Sequence, residues 1–208
     1  MSRFSGSPSL DSRRRLLSSA AALLLVWPVA ACSGPAGRAP RPDLAFDALP
    51  PLAFDAAELQ VRLLYVPPGQ PPFVDHLFSL TPLQAATLWA RDRLVAAGRT
   101  RRLVFEVNEA SVVQSLVEGE GGSGLLSMTE QILRYDARMV INVHLYEDSG
   151  FQSATAKVTG ERAVTVPEAA GEVARDKAWN QLLTDLMGDM DVQLEATLSE
   201  VFRDYRVE

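Results

Sequence analysis

Two histidines are the residues of this chain best placed for acid–base chemistry or metal binding. His76 follows Asp75 in FVDHLF, and a carboxylate can orient an imidazole as a general base. Adjacent side chains seldom point at one another, however, and a loop histidine is more often simply solvated. His144 lies at a polar position of a strand pattern, where it could be a metal ligand or simply an exposed residue of the sheet. No second ligand accompanies it at the spacing that a metal site requires. The histidines therefore give little support to catalysis.

A glycine-rich stretch, GEGGSG at residues 119–124, has the G-x-G-x-x-G spacing of a dinucleotide fingerprint. Glu118 and Glu120 would repel phosphate, and the sequence indicates no crossover unit with a parallel sheet. We expect a flexible hairpin loop and no bound nucleotide. The sequence also contains no G-x-S-x-G elbow, H-E-x-x-H or P-loop motif. We therefore expect no enzymatic activity and no cofactor.

The only cysteine, Cys32, closes the stretch RRRLLSSAAALLLVWPVAAC. Arginines, an apolar run and small residues follow one another as in a secretory signal peptide. The tetrapeptide Val29-Ala30-Ala31-Cys32 resembles a bacterial lipobox, which implies cleavage before Cys32 and acylation of its thiol. The alternatives are a free thiol in an uncleaved membrane span or a chance cysteine. The apolar run of about sixteen residues is shorter than the roughly twenty that span a bilayer.

The export route stays open, because Ser12-Arg13-Arg14-Arg15-Leu16-Leu17 is similar to a twin-arginine signal and also suits the general secretory route.

Removal of residues 1–31 takes away four arginines and Asp11 and leaves a formal charge of −9. That charge disfavours nucleic acid as a partner and disfavours adhesion to anionic lipid head groups. We expect attachment to the membrane through the acyl anchor.

The organisation predicted is a signal peptide at 1–31, an acylated and proline-rich tether at 32–57, and one domain at 58–208. The tether lacks a helical or strand period and could reach about 60 Å if extended. LAFDA occurs twice in it, at 44–48 and 52–56. Phe46 and Phe54 would then belong to a docking peptide, or one copy packs on its own domain.

The domain is predicted to contain four strands and two helices in the order β-α-β-β-β-α. Alternating apolar residues indicate strands at 59–65, 103–117, 135–145 and 154–166, the last two joined by a turn at Asp148-Ser149-Gly150. Thr81-Pro82 begins a helix that we expect to run to Ala97 before Gly98. A second helix of about thirty residues carries Trp179 and Leu186 on its apolar stripe. The fold class is α+β, a two-layer sandwich with both helices on one face of a mainly antiparallel sheet.

Apolar residues follow the glycine loop, at Leu125, Leu126 and Met128. On the tip of a long ribbon they would form a contact surface for a protein partner, or they fold back to cap the sheet. Met187 and Met190 of the final helix raise a similar alternative, because methionines suit an apolar ligand cleft as well as a packed core.

The central stretch RYDARMVINVHLYEDSGFQSATAKVTGERAV and the closing helix WNQLLTDLMGDMDVQLEATL, together with the lipobox, resemble small envelope lipoproteins. Two groups are similar in pattern: the PqiC-type auxiliary lipoproteins of lipid-transporting ABC systems, and the LptE-type lipoproteins of the lipopolysaccharide translocon. The resemblance implies a non-catalytic accessory or assembly subunit with an envelope protein partner. We expect a lipid-anchored chain that faces the periplasm from the outer membrane, and the sequence also leaves the inner membrane open. The alternative is a periplasmic carrier of lipid or a small apolar ligand.

Overall fold

The computed structural model describes residues 40–118 and 131–207. The main elements in chain order are β1 (Leu52–Phe54), β2 (Glu58–Leu63), α1 (Pro82–Arg93), β3 (Leu94–Ala96), β4 (Arg102–Glu118), β5 (Gln131–Tyr146), β6 (Gln152–Pro167) and α2 (Glu172–Val201). Short 3-10 helices lie at Phe46–Ala48, Asp75–Leu77 and Arg203–Tyr205.

The main sheet has the strand order β2-β4-β5-β6. β2 and β4 are parallel because α1 connects them as a crossover, a unit that the sequence did not indicate, whereas β4, β5 and β6 follow one another as antiparallel neighbours. This confirms the predicted four-stranded, mainly antiparallel sheet and the α+β class. A bulge between Val107 and Glu109 shifts the register of β4, so that the buried positions change from odd to even numbers.

Both helices lie on one face of this sheet, which we call the inner face. Trp89 of α1 stacks on Phe105 of β4 with ring centroids 5.7 Å apart. Trp179 of α2 packs edge-on against Tyr135 of β5 at 5.5 Å. The opposite face, which we call the outer face, carries the polar positions of the same strands. The two-layer arrangement is therefore the predicted one.

Helix α1 is shorter than we expected. Thr81 caps it in a capping box with Gln84, as the sequence indicates, but it ends at Arg93 instead of Ala97. Residues 94–96 form β3 because they pair in parallel with β1. A Cβ on Gly98 would lie 2.7 Å from the Ala56 backbone nitrogen, so this glycine permits a close chain approach and does not stop the helix.

The segment preceding residue 58 is not wholly a tether, which corrects the predicted boundary. Phe46, Leu52 and Phe54 are buried in the core, and Phe54 packs edge-on against Phe202 at 5.7 Å. Both LAFDA copies thus contribute a buried phenylalanine, and neither phenylalanine is presented to a partner. The domain holds the chain from Pro40, whose carbonyl accepts a hydrogen bond from Asn180, and packing against the core begins at Leu44. The connection to Cys32 is correspondingly shorter.

Helix α2 has the predicted apolar stripe, and Trp179 and Leu186 lie against the sheet as expected. Met187 and Met190 are fully buried in the core, which favours the packed-core interpretation over a ligand cleft. Gly160 of β6 lets α2 approach closely, since a Cβ there would meet the Met190 sulfur at 2.5 Å. In the described part of the chain, no helix has both the length and the apolar character needed to cross a bilayer.

Candidate functional site

The residues predicted to carry function fall largely outside the described part of the chain. Cys32 precedes it, and Leu125, Leu126, Met128 and the glycine loop 119–124 lie in the undescribed stretch 119–130. The lipid attachment and the apolar tip therefore stay predictions. The described residues supply the two histidines, a groove on the outer face and an exposed segment after β2.

His76 is not oriented by its neighbour. It is exposed in the middle of the 3-10 helix Asp75–Leu77, whereas the Asp75 side chain is buried and accepts a hydrogen bond from the Tyr65 hydroxyl at 3.3 Å. Burial, and then the charge of Asp75, raise the pKa of Tyr65. The Asp75–Tyr65 contact fastens the chain that follows β2, and this arrangement provides no general base.

His144 belongs to a polar cluster on the outer face. Its Nδ1 is 2.9 Å from the Thr155 hydroxyl, and its Nε2 is 3.4 Å from a carboxylate oxygen of Glu106. Arg62 donates to the other oxygen of Glu106 at 3.2 Å. Within residues 40–118 and 131–207, no group of three or more acidic, histidine or cysteine residues is placed to hold a metal. The cluster links β2, β4, β5 and β6 across the sheet.

A groove of about 430 Å³ lies on the outer face along the ribbon of β4, β5 and β6. Most of its charged side chains pair with one another, and Arg162 pairs with Asp189 of α2. Arg138 donates to Glu109 at 3.0 Å and bonds to Glu161, and Arg134 donates to Asp136 at 2.7 Å. Because these positive charges have acidic partners across or along the strands, they are not arranged to hold an anionic ligand.

On the inner face, the rings of Tyr135 and Trp179 pack edge-on, and the Tyr135 hydroxyl and the Trp179 indole N–H are both buried. Neither group has a hydrogen-bond partner in the described part of the structure. Burial raises the pKa of Tyr135, so the phenol is neutral at physiological pH and is a poor candidate for a base.

The surface that differs most from the rest is the chain from Leu63 to Pro72, which we call the apolar edge segment. Its side chains are exposed at every position except the half-buried Tyr65; Leu64 retains 53% and Val66 79% of full exposure. The sequence from Leu63 to Val74, LLYVPPGQPPFV, contains no charged residue. A contiguous apolar surface of this kind is typical of a contact site.

Backbone bonds hold the apolar edge segment against the free edge of β4. The amides of Leu64 and Tyr65 donate to the Val107 carbonyl, and the Gln114 amide donates to the Pro72 carbonyl at 2.8 Å. The segment is thus fixed at both ends, with the exposed prolines between. None of the predictions from the sequence identified this surface, although the absence of charge over the twelve residues from Leu63 to Val74 is a signal that could have done so.

Comparisons with known proteins leave the family of this chain open. No family model matches it, and no curated protein matches it. A minor lipoprotein from Acinetobacter baumannii is similar in structure, with a TM-score of 0.35, 14% identity, and coverage of 67% of this chain and 93% of that one. A DUF330-family protein from Xanthomonas campestris gives a TM-score of 0.29 and 15% identity, with coverage of 74% of this chain and 94% of that one. Similarities this low carry no functional argument.

Proposed function

We propose that this chain is a bacterial envelope lipoprotein, acylated at Cys32, that serves without catalysis as an accessory or assembly subunit of a lipid or lipopolysaccharide transport complex. The lipobox sequence Val29-Ala30-Ala31-Cys32 after an apolar run is the observation that carries the proposal. Outer-membrane attachment, with the domain facing the periplasm, belongs to the same proposal.

The domain itself supports a binding role. The ion pairs Arg138–Glu109 and Arg134–Asp136 stabilise the outer face, and His144 is held by Thr155. Paired charges and a neutral, exposed segment are features of a surface that makes contacts. A catalytic site instead requires convergent groups with perturbed pKa values in a cleft.

The anchor is tested by replacing Cys32 with serine. Cells are fed labelled palmitate and fractionated, and Cys32→Ser should lose the label and leave the membrane fraction, because several acyl chains make the stable anchor. Ser33→Ala, which keeps the cysteine, is the matched control and should remain labelled. A Cys32→Ser protein that still sediments and resists both salt and carbonate would contradict the acyl anchor.

The partner-binding role is tested at the predicted tip. Changing Leu125 and Leu126 together to serine should abolish co-purification of envelope proteins from solubilised membranes while leaving the melting midpoint nearly unchanged. Leu116→Ser, at an exposed leucine of β4, is the control and should keep the same co-purified proteins. A large fall in the midpoint would assign Leu125 and Leu126 to the core, and an unchanged set of proteins would remove the tip from the interface.

A further inference from the structure

We propose that the apolar edge segment, residues 63–72, contacts the lipid bilayer to which the chain is anchored. The inference rests on the proposed acylation of Cys32, since that anchor determines which side of the domain faces the membrane. Its physical basis is the length of the connection, the place where the connection joins the domain, and the chemistry of the segment.

The connection from Cys32 to the first described residue is short. Seven residues lie between Cys32 and Pro40, and the eight Cα–Cα steps that join the two span at most about 29 Å even when fully extended. Helix α2, with 30 residues, is about 45 Å long. The connection is therefore shorter than the long dimension of the domain, so the side on which Pro40 lies must stay near the bilayer.

Pro40 joins the domain on the side of the apolar edge segment. The Asn180 side chain donates to the Pro40 carbonyl at 2.7 Å and accepts from the Ser79 hydroxyl at 3.3 Å. Ser79 lies four residues after Asp75, whose carboxylate binds the Tyr65 hydroxyl. Three hydrogen bonds and one short stretch of chain thus connect the attachment point to the segment. Leu77, another exposed leucine, lies between Asp75 and Ser79 in sequence.

The chemistry of the segment suits lipid better than a protein strand. Pro67, Pro68, Pro71 and Pro72 lack backbone N–H donors, so the segment cannot pair with an added β-strand along its length. It carries no charge, whereas the mature chain has a formal charge of −9 that opposes approach to anionic head groups. Uncharged aliphatic and proline side chains can enter the interfacial region without that penalty.

The test places a fluorescent reporter on the segment in the full acylated chain. In the mature protein the two native tryptophans, Trp89 and Trp179, are buried, so an added exposed tryptophan is distinguishable after subtraction of the wild-type signal. Val66→Trp is reconstituted in vesicles of phosphatidylethanolamine and phosphatidylcholine with and without brominated acyl chains. We expect a blue shift of its emission on reconstitution and a loss of emission with the brominated lipid.

Phe151→Trp is the matched control, because Phe151 is 70% exposed in the turn between β5 and β6. That turn lies beyond Tyr146, and β5 extends about 17 Å over the five steps from Ile141, which pairs with Val107 beside Tyr65, to Tyr146. Its emission should be unaffected by brominated lipid. If Val66→Trp lowers the melting midpoint, Leu64→Trp replaces it at another exposed position of the segment.

Flotation of the same vesicles separates the two proposals. An acylated chain that fails to float with the vesicles overturns the anchor and this inference with it. A chain that floats while Val66→Trp is quenched no more than Phe151→Trp overturns the membrane contact alone. A blue shift of the Val66→Trp emission that occurs only in membranes containing envelope proteins, and not in pure lipid, would assign the segment to a protein partner. That result would equally overturn the membrane contact.

Discussion

The two faces of the main sheet use charged side chains in opposite ways. On the inner face, Arg93 at the end of α1 has a side chain only 1% exposed and is surrounded by acceptors. On the outer face, Arg138 of β5 forms two ion pairs but keeps 46% of its side-chain exposure. The same kind of residue is therefore part of the core in one place and a solvated surface group in the other.

The Arg93 cluster joins three separate parts of the chain. Its guanidinium donates to Asp191 at 3.0 Å and also bonds to Glu195 of α2 and to the Pro50 carbonyl. The indole N–H of Trp89 donates to the same Asp191 oxygen at 2.7 Å. A buried cation with its hydrogen bonds satisfied fixes the relative position of the elements it connects, although its net contribution to stability is set by desolvation as much as by attraction.

The first prediction has the largest expected effect on stability. Arg93→Met should destabilise the protein by about 3 to 5 kcal/mol, because it leaves Asp191 partly buried without its cation and frees the Pro50 carbonyl. Thermal or denaturant unfolding of the detergent-solubilised protein measures the loss. The double variant Arg93→Met with Asp191→Asn should recover a substantial part, because it removes the unpaired charge and keeps an acceptor oxygen for the Trp89 indole N–H. A single variant that loses less than about 1 kcal/mol would show that the cluster behaves like the outer-face pairs.

The second prediction concerns the apolar part of the inner face. Leu186→Ala should cost about 2 to 5 kcal/mol through lost contacts and a cavity beside Gly160. Val192→Ala, on the exposed side of the same helix, is the control and should change the unfolding free energy by no more than about 0.5 kcal/mol. An unchanged midpoint for Leu186→Ala would mean that α2 does not depend on the sheet for its stability.

Much of the fold could be predicted because periodicity reports which face a residue occupies. The alternation through Tyr135, Met139 and Val143 identified β5 and its buried face, and the three- to four-residue spacing identified α2. Both patterns arise from local backbone geometry, because side chains alternate between the two faces of a strand and recur every three to four residues on one side of a helix.

The errors have long-range causes. Leu94 and Ala97 continue the apolar spacing of α1, but residues 94–96 extend to pair with β1 from a segment forty residues earlier. The same pairing takes Leu52 and Phe54 out of the predicted tether. Arg93 is the clearest omission: a basic residue in the last turn of a helix is ordinarily solvated, and its partners Asp191 and Glu195 lie about a hundred residues away. A single sequence contains no local signal for such partners.

The third prediction tests the outer face. Arg138→Ala should cost at most about 1 kcal/mol, because Glu161 is well exposed, Arg138 and Glu109 are partly exposed, and solvent screens the pairs. The effect should shrink in high salt, since exposed pairs are screened by mobile ions. The measurement is the unfolding free energy at low and high ionic strength. A loss comparable to that of Arg93→Met would show that the groove is more tightly packed than its exposure indicates.

The last prediction has the smallest expected effect on stability and concerns a buried polar group of the inner face. Tyr135 is fully buried, yet its hydroxyl lacks a hydrogen-bond partner in the described part of the structure. Tyr135→Phe keeps the ring against Trp179 and removes a polar group whose burial is uncompensated, so stability should be unchanged or rise by up to about 1 kcal/mol. Unfolding of the Tyr135→Phe variant measures this, with Tyr135→Ala as the variant that loses the ring and should fall by about 3 to 5 kcal/mol. A loss of more than about 1 kcal/mol of unfolding free energy for Tyr135→Phe would mean that the hydroxyl is hydrogen-bonded. An unchanged unfolding free energy would show that the inner face depends on its apolar contacts and on Arg93 but not on every buried polar group.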